Sequence, residues 1–85
     1  MIAYQPIYKP YGNSGILIEW PQEISLDILN DIRFFCENIE SEGFHEIIEI
    51  NFIYASLLVV YDPESIRFED LRKLLKKVYG NASNV

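Results

Sequence analysis

Residues 55–63 read ASLLVVYDP, and this stretch decides the fold. The unbroken apolar run at positions 57–61 combines leucine with the β-branched and aromatic residues that strands favour. Asp62 and Pro63 end the run, because an Asp-Pro step favours a turn and proline removes a backbone donor. The stretch therefore predicts a strand over residues 55–61 whose two sides are both apolar.

Three further segments have the composition of strands. They cover residues 2–8, 15–20 and 46–52, with loose alternation in the manner of a pleated strand. Pro6 favours an edge position for the first segment, because a proline in the sheet interior would interrupt a ladder. The sequence PYGNSG at positions 10–15 is typical of a turn, so the first two strands are expected to form a hairpin.

Two segments have the spacing of amphipathic helices. Residues 24–42 form one apolar stripe, with Ser25 as the N-cap and Gly43 as the residue that ends the helix. Residues 68–79 form a second stripe, and Gly80 is expected to close this helix. A basic run complements the helix dipole or forms a docking patch, and it consists of Arg72, Lys73, Lys76 and Lys77.

The predicted order of elements is ββαββα. It forms a single α+β domain over residues 1–80, followed by a flexible tail or linker at 81–85. Two hairpins and two amphipathic helices can bury their apolar sides in a two-layer fold. This fold is a four-stranded, mainly antiparallel sheet with both helices on one face. A chain of 85 residues has room for one core of this kind and not for two.

The face of the sheet that carries no helix is predicted to be apolar. The residues expected to face the helices are Ile16, Ile18, Trp20, Leu57, Val59 and Tyr61. The residues that alternate with them then face away. The outward set consists of Leu17, Ile47, Leu58 and Val60, flanked by Glu19 and Glu49. Solvated antiparallel sheets are usually polar on this side. The pattern predicts an interface, with a curled sheet or a terminus folded over the face as alternatives.

Charge and hydropathy exclude several classes of function. The formal net charge of −6 repels phosphate backbones, so nucleic-acid binding is not expected. No basic N-terminal region precedes an apolar run, and no apolar stretch is long enough to span a bilayer. We therefore expect a cytoplasmic protein without a membrane partner.

No pattern of residues predicts catalysis. His45 has no second histidine or cysteine at ligand spacing, and we interpret it as a surface or turn residue. Cys36 lies on the apolar stripe of the first helix and is interpreted as a small buried hydrophobe. The acidic pairs of that helix fit a solvated face better than an acid–base pair. No catalytic, cofactor-binding or metal-ligating residue is predicted.

Two stretches resemble a known family. YGNSGILIEW at positions 11–20 is similar to its opening turn and strand, and YASLLVVYDP at 54–63 is similar to a later strand that ends in Tyr-Asp-Pro. The family is the N-terminal domain of the B component of 5-oxoprolinase, also known as allophanate hydrolase subunit 1 or the kinase A inhibitor Kip. The chain departs from it at Asn13, Phe52 and Val60, where the family has an acid, a proline and often a histidine.

The resemblance implies a non-catalytic interaction module within a multi-subunit, ATP-dependent 5-oxoprolinase-like complex, with the 5-oxoprolinase subunits A and C as partners. The alternative that it implies is inhibition of a sporulation-type histidine kinase by direct binding. It also implies either a piece of a longer protein with a cyclophilin-like second domain or a stand-alone module. A homo-oligomer is left open, and an independent small-molecule enzyme is a third alternative.

Overall fold

The computed structural model describes residues 4–23 and 25–83. The elements follow in the predicted order: β1 Ile7–Tyr11, β2 Gly15–Glu19, α1 Leu26–Glu42, β3 Ile47–Ile53, β4 Ser56–Tyr61 and α2 Phe68–Ser83. The strands form one sheet in the order β1-β2-β4-β3, and every neighbouring pair is antiparallel. The predicted α+β fold with a ββαββα order is confirmed.

The two most buried strands, β2 and β4, lie side by side at the centre of the sheet. Ile16 lies opposite Val59 and Ile18 opposite Leu57. Directly opposed residues of an antiparallel pair point to the same face. All four side chains are buried in the core together with apolar residues of both helices. The predicted helix-facing set is confirmed, and it consists of Ile16, Ile18, Trp20, Leu57, Val59 and Tyr61.

Helix α1 begins and ends at the predicted caps. The Oγ of Ser25 accepts a hydrogen bond from the N–H of Ile28 at 3.4 Å. Gly43 adopts a left-handed φ of 67°, and its N–H donates to the carbonyl of Glu40 at 3.2 Å. Only glycine takes this conformation without a steric cost from a Cβ atom. Ile24, which was expected to start the segment, lies outside the described residues.

Helix α2 is longer than predicted. It continues through Gly80 to Ser83, so the expectation that Gly80 closes the helix is wrong. Glycine inside a helix costs only about 0.5–1 kcal/mol, which neighbouring turns can outweigh. The last turn contains no basic residue, so the basic run lies along the middle of the helix. Within the predicted tail or linker at 81–85, Asn84 and Val85 lie outside the described residues.

Strand β1 begins later than predicted and extends to Tyr11, into the segment that was expected to be a turn. Pro10 is tolerated in the strand because β1 lies at the edge of the sheet. The predicted edge position and the hairpin with β2 are confirmed. Residues 1–3, part of the predicted strand at 2–8, lie outside the described residues.

The carboxylate of Asp31 on α1 joins Trp20, the residue after β2, to Tyr79 of α2. Its Oδ2 accepts a hydrogen bond from the Nε1 of Trp20 at 2.8 Å and one from the hydroxyl of Tyr79 at 2.6 Å. The rings of Trp20, Phe35 and Tyr79 pack edge to face, with centroids 5.0 Å apart for Phe35 and Tyr79. Hydrogen bonds to a charged group contribute about 1.5–3 kcal/mol each. This cluster therefore fixes how the helix layer sits on the sheet.

We expect Ile32→Ala and Leu71→Ala each to lower the free energy of unfolding by about 2–4 kcal/mol, since both side chains are fully buried and leave cavities. Leu26→Ala is the matched control, because that leucine is 76% exposed on α1. Urea denaturation of the three variants measures the difference. Losses below about 0.5 kcal/mol at both buried sites would show that the core face is assigned wrongly.

Alkaline pH is expected to destabilise the fold. Burial raises the pKa of Tyr79 well above its ordinary 10.0, and the hydrogen bond to Asp31 raises it further. Burial also raises the pKa of Tyr8, whose hydroxyl lacks a hydrogen-bond partner among the described residues. The unfolded chain therefore releases these phenol protons first as the pH rises. The corresponding stability is fully present below pH 10.0 and is lost above it.

Urea unfolding midpoints measured from about pH 9 to about pH 11 should fall, and Tyr79→Phe should make the fall shallower. Tyr11→Phe is the control, because the ring of Tyr11 is 55% exposed. An unchanged slope in Tyr79→Phe would contradict this account of the phenol.

Candidate interaction surface

The side of the sheet opposite the helices, here called the outer face, is a grid of residues in three rows. Each row crosses β1, β2, β4 and β3 in that order, as fixed by the strand register. The rows are Tyr11, Gly15, Val60 and Glu49; then Lys9, Leu17, Leu58 and Asn51; then Ile7, Glu19, Ser56 and Ile53. Leu17 and Leu58 are directly opposed at the centre of this grid.

The centre of the outer face is apolar. Leu17, Leu58 and Val60 are half-buried, although the described helices pack against the opposite side of β2 and β4. Gly15 lets Tyr11 and Leu58 approach its backbone closely. A Cβ at this position would lie 2.7 Å from the carbonyl oxygen of Tyr11 and 3.4 Å from the Cδ1 of Leu58. Three of the four residues that the sequence assigned to this surface are therefore brought together.

Ile47 does not belong to the outer face. It lies opposite Tyr61, whereas Glu49 lies opposite Val60, so Ile48 is the additional residue of a β-bulge. Tyr61 faces the helices, and Ile47 accordingly packs against the core. A bulge reverses the side to which the following residues point. The prediction that places Ile47 on the outer face is wrong for this reason, while Glu49 lies on that face as expected.

Three further exposed apolar residues, which the sequence pattern did not assign to this surface, belong to the outer face. Ile7 is 57%, Tyr11 55% and Ile53 46% exposed. Tyr11 was assigned to the turn, and the third strand was expected to end at Phe52. The sequence does contain a signal for the longer strand. Ile7, Lys9 and Tyr11 are spaced two residues apart, as on one side of a strand that continues through Pro10.

Polar pairs lie on both sides of this apolar centre. The Nζ of Lys9 is 2.9 Å from the Oε1 of Glu19. On the other side the Nδ2 of Asn51 donates a hydrogen bond to the Oε2 of Glu49 at 2.6 Å. A surface ion pair contributes at most about 1 kcal/mol, so it exchanges readily for a contact with another molecule. An apolar centre with a polar rim is the usual anatomy of a protein–protein interface.

The described residues do not form a supported catalytic group. The side chain of His45 is 86% exposed, with its Nδ1 3.6 Å from Glu46. Cys36 is half-buried, and burial, together with Glu40 and Glu37, raises the pKa of its thiol, which disfavours the thiolate nucleophile. Residues 4–23 and 25–83 contain no cluster of side chains suited to a metal ion. Neither described helix has the length and hydropathy needed to cross a membrane.

The model of the family described as "Carboxyltransferase domain, subdomain C and D" matches residues 6–85. The chain belongs to this carboxyltransferase family. This match confirms the domain family that the sequence resemblance indicated, the family of the B component of 5-oxoprolinase, allophanate hydrolase subunit 1 and Kip. No curated protein matches the chain.

A conserved uncharacterized protein from Pyrococcus horikoshii has a similar structure, with a TM-score of 0.85 and 33% sequence identity over 92% of this chain. The carboxyltransferase-family domain described here spans 36% of that protein. The fold is thus a minor part of a longer relative.

Two enzymes of Kluyveromyces lactis contain the same fold. The urea carboxylase has a TM-score of 0.87 at 23% identity, covering 94% of this chain and 7% of its own length. The urea amidolyase has a TM-score of 0.86 at 24% identity, covering 93% of this chain and 5% of its own length. At this identity the likeness shows the fold alone.

We expect the isolated chain to hydrolyse neither 5-oxoproline nor allophanate, with or without ATP, because its described residues offer no nucleophile paired with a base. Product release by the purified chain is the measurement, with Cys36→Ser and His45→Ala as companion variants. Turnover that co-elutes with the chain and disappears in either variant would contradict this prediction.

Proposed function

We propose that this chain is a non-catalytic interaction module that docks through its outer face onto the partner subunits of a multi-subunit, ATP-dependent 5-oxoprolinase-like complex. The observation that carries the proposal is the apolar centre formed by Leu17, Leu58 and Val60 on a sheet face that the described helices do not cover. Removing apolar surface from water contributes about 25 cal/mol per Å². A partner that covers this centre and its apolar neighbours therefore gains affinity at the positions where solvated sheets are polar.

The family and its solved structures support a modular role. The chain belongs to the carboxyltransferase subdomain C and D family, and its fold makes up 7% and 5% of the two yeast enzymes. A fold that recurs as a small part of large chains is suited to work beside other domains or subunits. The resemblance to the B component of 5-oxoprolinase names subunits A and C as the partners to test first.

The composition of the outer face defines what a partner should present. Its charged members are Lys9, Glu19 and Glu49, and Lys9 and Glu19 already pair with each other. The complementary surface is accordingly apolar at its centre, with a positive group near Glu49. Such complementarity sets the rate of association and the register more than the affinity.

We expect Leu58→Lys to weaken binding to purified subunits A and C by at least about ten-fold, because it places a charge at the apolar centre. Ser41→Lys is the matched control, since it adds the same charge at an exposed position of α1, on the other side of the sheet. Calorimetric titration and the melting temperature are measured together. Unchanged binding with a collapsed melting temperature would show that Leu58 belongs to the core.

The same two variants test the second candidate function. If the chain binds neither of these partners, yet inhibits autophosphorylation of a sporulation-type histidine kinase, and Leu58→Lys abolishes this inhibition, the docking surface is right and the complex is wrong. If neither kind of partner responds to Leu58→Lys while the variant stays folded, the outer face is not the docking surface.

A further inference from the structure

Strand β3 presents an open edge, and the hydrogen bonds of β4 show which of its backbone groups point outward. The N–H of Tyr61 donates to Ser14 on the β2 side, and the N–H of Asp62 donates to Glu46 on the β3 side, both at 2.9 Å. Successive residues of an antiparallel strand turn to alternate sides. Val60 and Leu58 therefore direct their backbone N–H and C=O groups toward β3, where they bond with the backbones of Glu49 and Asn51.

It follows that Ile50 and Phe52 direct their N–H and C=O groups away from the sheet. Within the described residues no strand pairs with β3 on that side. Two successive outward positions supply the ladder groups for an additional strand.

The opposite edge of the sheet, formed by β1, cannot accept a further strand at Pro10, whereas the β3 edge can. The backbone N–H of Trp20 donates to the carbonyl of Ala55, the residue before β4, at 3.1 Å. Because backbone groups alternate along a strand, Ile16 and Ile18 also direct their N–H and C=O groups toward β4. Tyr8 and Pro10 are consequently the outward positions of β1. Pro10 has no N–H, and a proline at such a position prevents further pairing. Strand β3, with the sequence IIEINFI, contains no proline.

An apolar cavity lies beside this edge on the helix side of the sheet. It has a volume of about 340 Å³ and lies between α1 and β3, with Leu29, Cys36, Ile50 and Phe52 among its lining residues. Leu29 is 40% and Phe52 55% exposed. The side chains of an added strand that point toward the helix layer would meet this apolar lining.

The charge around the edge indicates what kind of strand fits. Residues 37–49 contain no lysine or arginine and include five acids. Of these, Glu40 and Glu49 line a groove together with Ile47, Ile48 and Ile50 of β3. Among the residues that the structure describes, Arg33 is the one cation that lines the cavity. A second copy paired through β3 would bring two such acidic segments together, and like charges on paired strands repel. A cationic strand instead gains favourable pairs, above all with the exposed Glu49.

We propose that the β3 edge accepts an extended segment of a partner protein as a fifth strand, with apolar residues alternating with lysine or arginine. The backbone of Ile50 and Phe52 binds the segment through ladder hydrogen bonds. The cavity beside α1 receives its apolar side chains, and the acidic surroundings of Glu49 select its cations. Glu49 also belongs to the outer face, whereas Ile50, Phe52 and the cavity lie outside it. The ladder and the cavity therefore do not rest on the proposed function.

The test uses a short synthetic peptide in which valine and lysine alternate, and a second in which glutamate replaces lysine. The expected result is that only the lysine peptide binds the full chain. On binding, the amides of Ile50 and Phe52 should shift in NMR spectra and exchange more slowly with solvent. Leu58→Lys should leave this binding unchanged.

Phe52→Pro removes an outward N–H while sparing the ladder with β4, and Phe52→Ala is its matched control with the N–H retained. We expect the proline variant to bind about ten-fold more weakly than the alanine variant, the effect of one lost ladder hydrogen bond and its unpaired acceptor. The NMR spectrum of each variant reports whether it is folded.

Glu49→Lys keeps the test decisive if the proline variant does not fold. It should weaken binding of the lysine peptide and strengthen binding of the glutamate peptide, whereas Glu64→Lys, the same change at an exposed turn position, should do neither. Equal binding of both peptides, no binding of either, or shifts confined to the outer face would overturn the proposal. Self-association of the chain that Phe52→Pro abolishes would show that a second copy is the occupant instead.

Discussion

The pairing of β2 with β4 is the constraint on which the rest of the structure depends. Both strands carry apolar residues on both sides, and their adjacency sets Ile16 and Ile18 against Val59 and Leu57 on the helix side. The same register sets Leu17 against Leu58 on the outer face. The helices cover one side only, and the Asp31 hydrogen bonds to Trp20 and Tyr79 hold them there. An apolar outer centre is therefore a direct consequence of how the core is built.

The sheet offers two chemically different places for a partner. The outer face provides apolar area and a polar rim, which suits a flat protein surface. The β3 edge provides backbone donors and acceptors beside an acidic region, which suits an extended chain. Pro10 of β1 protects the other edge. Neither place requires a catalytic residue, in agreement with the exposed His45 and the raised pKa of the Cys36 thiol.

The sequence predicts the elements well because their signals are local. Ser25 and Gly43 set the ends of α1, and Asp62 and Pro63 end β4. The errors arise where tertiary contacts decide. The bulge at Ile48 depends on pairing with β4 and turns Ile47 inward. Gly80 stays helical, although its local propensity favours an end. The role of Asp31 also escaped prediction, because its partners are distant in sequence.

The most direct test of the central claim is NMR cross-saturation from an unlabelled partner protein to methyl groups of the chain in their complex. The account predicts that the methyl signals of Leu17, Leu58 and Val60 lose intensity, while those of Ile16 and Val59, which belong to the same strands but face the helices, do not. Intensity losses confined to the helix residues Leu26 and Leu74 would contradict it.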